Sequence, residues 1–73
     1  MDESLARNLL EELRNFVATF NNVSELSMSI ADEEEQRTFR AALARLLVHC
    51  DSELIRPLER KYPQLEGIVA SRP

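Results

Sequence analysis

The chain has 73 residues, room for one domain and no second core, and a polypeptide this short buries only about 60% of the surface its unfolded form exposes. One Cys and one His exclude an internal disulfide and argue against a structural zinc site, so stability must come from close packing or from association. A net charge of −4 has the wrong sign for a general phosphate binder, and the short apolar runs fall far below a membrane span.

A hydrophobic fraction of 44% with 30% charged residues fits a globular chain. Only 1 Gly and 3 Pro are present, which leaves little turn chemistry and so favours few, long elements. Leu, Ala, Glu and Arg dominate, and all are strong helix formers. An all-α fold is expected.

The first helix is expected over about residues 4–20. Asp2, Glu3 and Ser4 place acidic and capping groups at the positive end of the helix dipole. Ala6, Leu9, Leu13, Phe16, Phe20 and then Val23 recur in alternating steps of three and four, an a/d seam. Leu5, Leu10 and Val17 flank that seam and widen the apolar stripe.

Asn21 and Asn22 are plausible stops, since Asn tolerates the left-handed backbone that often closes a helix. A loop is therefore expected over 21–31. The alternation of Ser with Leu26, Met28 and Ile30 formally reads as a strand, but a lone strand has no partner in so short a chain. It is read instead as a loop with one helical turn, its apolar residues folding over the open end of a hairpin.

Asp32 and Glu35 have capping-box spacing, so a second helix is expected over 33–50. Glu33, Glu34 and Glu35 favour its N-terminal end, and Glu33 and Arg37 are an expected i,i+4 pair. Phe39, Leu43, Leu46, Leu47, Cys50 and Leu54 form its apolar face. Pro57 would break a regular helix. The helix either continues with a kink or restarts as a short third helix to about 61, with Asp51 and Ser52 as a fresh cap. Ile55, Leu58, Tyr62 and Leu65 prolong the apolar face, Pro63 and Gly67 are stops, and a tail spans 63–73.

His49-Cys50-Asp51 is the one cluster with reactive chemistry. Adjacent helix positions point about 100° apart, so His49 and Cys50 cannot easily share a proton. Cys50 on the apolar seam reads as a small hydrophobe. The acidic run 32–35 reads as helix capping, because the alternating carboxylates and the Gly of a calcium loop are missing. Arg37, Arg40 and Arg45, with Arg56, Arg60 and Lys61, read as a solvated face, since acids interleave with them. No catalytic, cofactor-binding or metal-binding residue is expected, and the chain is not read as an enzyme.

The expected core is Leu9, Leu13, Phe16, Phe20, Phe39, Leu43, Leu46 and Cys50. Two helices cannot cover stripes this wide, so Leu5, Leu10, Val17, Leu47 and Leu54 are expected to meet an outside surface. The expectation is a helical hairpin that pairs with itself as a four-helix bundle, a homodimer that also meets a larger protein. A closed three-helix monomer is the competing architecture. The function expected is protein–protein interaction, as an adaptor or regulatory module. The alternative is a small regulator of nucleic-acid transactions using an Arg-bearing helix face. The acidic start lacks a secretory apolar core, and the unpaired Cys suits a reducing compartment, so a cytoplasmic location is expected.

Overall fold

The computed structural model describes residues 1–70, so the part of the expected tail at 71–73 lies outside the described residues. The described chain is helical throughout its regular structure. Helix α1 spans Glu3–Ser27, α2 spans Glu33–Cys50, a π-helical turn covers Asp51–Ile55, α3 spans Arg56–Lys61, and a 3₁₀ turn covers Pro63–Leu65. The long pair α1 and α2 forms a helical hairpin.

Both long helices start as their sequences dictate. The Asp2 carboxylate accepts the Leu5 backbone N–H at 2.8 Å, and the Asp32 carboxylate accepts that of Glu35 at 2.8 Å. Each satisfies a donor that the first helical turn would otherwise leave unpaired.

The end of α1 departs from expectation. The helix runs through Asn21 and Asn22 to Ser27, and among the described residues no non-glycine residue has a positive φ. Asn permits a left-handed stop but does not impose one, and here tertiary contacts decide. The Ser27 hydroxyl turns back to the Ser24 carbonyl at 2.5 Å, while one Arg40 nitrogen donates to that carbonyl at 2.8 Å and to the Ser27 hydroxyl at 2.9 Å. Gln36 adds a bond to the Met28 carbonyl at 3.0 Å. Carbonyls orphaned by the helix end thus receive donors from α2. The expected loop over 21–31 shrinks to the link between Ser27 and Glu33. Leu26 and Met28 stay exposed instead of folding over the hairpin.

Pro57 is accommodated by a wider turn. Its ring would collide with the carbonyl four residues back in a regular helix, and it donates no N–H. The Arg56 N–H bonds the Asp51 carbonyl, five residues back, which loosens the coil just ahead of the proline. The helical path therefore continues into α3 without a fresh side-chain cap. Tyr62, with φ −127 and ψ 74, then ends α3, as the residue before a proline is pushed out of the helical region. Gly67 adopts φ +98, a conformation that side chains disfavour, and returns Ile68 and Val69 to the core.

That core sits at one end of the hairpin. Ala6, Leu10, Cys50, Ile55 and Leu65 are buried, with Leu13, Val17, Leu58, Tyr62, Ile68 and Val69 packed against them. The N-terminal half of α1, the end of α2 and the returning tail meet there. The Tyr62 hydroxyl donates to the Met1 carbonyl and ties the chain start to the end of α3.

Replacing Leu10 by Ala should cost about 2–5 kcal/mol, because the fully buried side chain leaves a cavity among three elements. Val48→Ala, on an exposed side chain, should stay within about 0.5 kcal/mol. Urea denaturation of both variants at one protein concentration checks the contrast, and equal losses would mean that the core is placed wrongly.

Candidate interaction surface

Burial at Leu10 fixes which side of α1 faces inward. Successive residues turn about 100° round the cylinder, so with Ala6, Leu10 and Val17 inside, Leu9 and Phe16 must turn away. Leu9 is more than a third exposed and Phe16 is 51% exposed. The same holds on α2, where Cys50 is buried while Phe39 is exposed and Leu46 is 58% exposed.

The expected core is therefore redistributed. Cys50 is buried; Leu13, Phe20 and Leu43 are half-buried; Leu9, Phe16, Phe39 and Leu46 are exposed. Among the residues expected to seek an outside surface, Leu10 is wholly buried within the protomer, Val17 and Leu47 are half-buried, and Leu5 and Leu54 are exposed. The physical reason is one of rotation. The tail docks on the Ala6/Leu10/Val17 side of the stripe, so the hairpin packs along a flank of its a/d seam and leaves the seam's other side open.

The open residues of both helices share a face. Leu9 and Leu13 line one shallow hollow with Met1, Glu53, Leu54, Pro57 and Leu58, a space of about 360 Å³. From Leu9, seven residues lead to Phe16, and seven more to Val23; a step of seven returns to nearly the same side of a helix. From Leu54, eight residues lead back to Leu46, the extra one absorbed by the π-helical turn, and seven more to Phe39. Phe16 and Phe20 pack edge to face with ring centroids 4.9 Å apart and planes at 76°. The middle of the face is apolar; Asp32, Glu34 and Glu35 line it beside Phe39 and Glu53 lines it beside Leu54, and Glu12 lies along its edge.

The other groups singled out in the sequence do not assemble into a site. Cys50 is buried while its neighbour His49 is exposed, so the two point in different directions. Among the described residues, no cluster of three or more His, Cys, Asp or Glu side chains is placed to hold a metal ion. No helix among them is long and apolar enough to cross a membrane.

Nor do the basic residues form one strip. Arg40 is spent on the end of α1, as described. Arg56 donates to the Asp51 carboxylate at 2.7 Å, and that hydrogen bond, reinforced by the carboxylate charge, pushes the guanidinium above its ordinary value. The pairs within ion-pair distance include Arg56–Asp51 and Arg7–Glu3 at 3.4 Å; the expected Glu33–Arg37 pair is not formed. Arg40 is the functional surprise. Its helical position is the signal: Arg40 lies one turn beyond Gln36 on the side of α2 that faces α1, whereas Arg37 is turned to solvent.

Comparison of the chain with protein-family models, with curated proteins and with solved structures returns no match.

Two outcomes check this account of the side chains. Arg40→Met should destabilise the fold by about 1.5–3 kcal/mol, the range for a hydrogen bond to a charged donor, whereas exposed Arg37→Met should change little; thermal melts followed by circular dichroism measure both. The Cys50 thiol, 8% exposed, should react with a chromogenic disulfide reagent at the rate of unfolding rather than of a free thiol. Instant reaction in native buffer would contradict its burial.

Proposed function

We propose that the chain is a non-enzymatic protein–protein interaction module, adaptor or regulatory in role, that acts as a helical dimer in the cytoplasm. One observation carries this reading: two helices of a small protein turn Phe and Leu side chains outward on a common face. Contiguous exposed apolar surface on a small protein marks a place that another surface covers. Pairing through it would give a four-helix bundle, the ordinary way in which two hairpins bury stripes wider than each can cover alone. A larger protein could then be met through the acidic outer faces.

A reading from another class, a regulator of nucleic-acid transactions, rests on Arg37, Arg45, Arg60 and Lys61, which lie on the exposed surface. They are dispersed over two helices and interleaved with acids, and aromatic rings do not alternate with them as a single-strand binder requires. Polyanion chromatography separates the two readings. Flow-through at low salt is expected, and retention that falls steeply with salt would favour nucleic acid.

The interaction reading is tested by sedimentation equilibrium over a dilution series. The expected mass is twice that of one chain at micromolar concentration, falling towards one on dilution. A monomer throughout, with no binding of an apolar fluorescent dye to the face, would overturn it.

A further inference from the structure

We infer that the occupant of the Leu9/Phe16/Phe39/Leu46 face is a second copy of this chain, related by a two-fold axis, while the opposite side of α2 around Val48 stays outside the interface. This rests on the dimer reading above and deepens it by assigning the surface.

Area is the first argument. A compact monomer of 8.4 kDa exposes about 4,600 Å² by the usual scaling with mass. This chain exposes 5539 Å², an excess of roughly 900 Å², whereas a standard stable interface takes about 800 Å² from each partner. Shape says the same. The radius of gyration is 14.5 Å, against about 11 Å for a compact domain of this length, and the extents of 47 × 22 × 15 Å describe a thin slab. Two such slabs laid face to face approach the proportions of one ordinary domain.

Charge is the second argument. Each copy carries −4, so self-association must not bring like charges into contact. By helical position, the middle of the face, from Phe16 and Phe20 on α1 to Leu43 and Leu46 on α2, carries apolar side chains, while Asp32, Glu34 and Glu35 gather beside Phe39 and Ala42 at the turn end. Glu12 and His49 lie at its edges, and Glu35 and Glu53 towards its ends, where water can screen them. The other large apolar hollow, around Val17, Leu47, Val48 and Ile55, is lined also by Asp51, Arg56 and Glu59. Closing a copy of the chain over that side would desolvate charge. Acids line the two ends of the Leu9/Phe16/Phe39/Leu46 face, Asp32, Glu34 and Glu35 beside Phe39 and Glu53 beside Leu54, so the strip through Phe16 and Leu46 between them is the part suited to self-contact.

Symmetry is the third. An isologous contact requires a self-complementary patch. This one supplies aromatic and leucine side chains from both helices, Phe16 with Leu9 and Phe39 with Leu46, so either helix of one copy can seat against either helix of the other.

The test uses the full chain with three substitutions, Phe16→Lys, Leu46→Lys and Val48→Lys, all at exposed positions. Sedimentation equilibrium should show the wild type and Val48→Lys as dimers, and Phe16→Lys and Leu46→Lys weakened more than about 100-fold. A dimeric wild type that survives Leu46→Lys but is dissociated by Val48→Lys would overturn the face assignment and leave the dimer reading standing. A wild type monomeric at every concentration would overturn both. Should the lysine variants fail to fold, isotope-filtered nuclear Overhauser spectra of mixed labelled and unlabelled wild type decide the matter. Contacts between copies from the Phe16 and Phe39 rings are expected, and a dimer without them refutes the assignment.

Discussion

The rotation of α1 about its own axis governs everything else in this protein. Burial of Leu10 against the tail and the end of α2 sets that rotation, and α-helical geometry then leaves no freedom for the neighbouring residues. Turning Leu9 inward would move Leu10 out and uncover Ile55 and Leu65, the side chains that close the core. The exposed Phe and Leu residues are thus the geometric consequence of a core placed on one flank of an apolar stripe, rather than a failure of packing.

The two ends of the hairpin are held by different forces. At the end where the termini meet, apolar side chains from α1, the π-helical turn and the tail exclude water. At the turn between α1 and α2, the buried residue is Ser27, and cohesion comes from Arg40 and Gln36 donating to carbonyls of the preceding element. Hydrogen bonds contribute direction and modest net energy, whereas burial contributes most of the driving force. The turn end should accordingly open at lower free energy than the terminal end. The π-helical turn belongs to the same logic. It shifts the side chains beyond Cys50 by one position, so Ile55 enters the core beneath Leu10 while Leu54 remains on the open face.

Much of this was legible in the residues. The helical class, the cap at Asp32, a capping group within residues 2–4, the span 33–50 and the disturbance at Pro57 all follow from local chemistry, and the structure carries them, with Asp2 as the first cap. The helix end at Asn21 was misread because the decisive contacts come from Arg40 and Gln36, sixteen and eight residues away from the carbonyls they satisfy. The core was misplaced for a related reason. Ala6, Leu10, Leu13 and Val17 step by four, three and four, as good a seam as Leu9, Leu13, Phe16 and Phe20. When an apolar stripe is wide, periodicity fixes its width but not its centre. The centre is chosen by what docks on it, and the docking tail lies some fifty residues further along the chain. The candidate face was visible as a stripe, though the boundary between core and open side falls elsewhere: Leu10 moves inward, Leu9, Phe16, Phe39 and Leu46 move outward, and Leu5 and Leu54 stay exposed.

Folding alone leaves this protein with unusually much exposed surface. Measured against the roughly 12,200 Å² that an unfolded chain of this mass exposes, the exposed 5539 Å² means that folding alone buries only about 55% of the surface, below the roughly 60% usual at this size. Part of the unburied apolar surface, Leu9, Phe16, Phe39, Leu46 and Leu54, lies on one face, and part, Leu26, Met28 and Val48, lies elsewhere; a surface that covered the face would add to the stability of the folded form through mass action. Leu10 acts through the fold of the protomer, whereas a residue on the open face contributes little to that fold beyond its local contacts. That difference gives the two flanks of one stripe separate physical roles: one flank holds the hairpin together, and the other is left facing water by the same rotation.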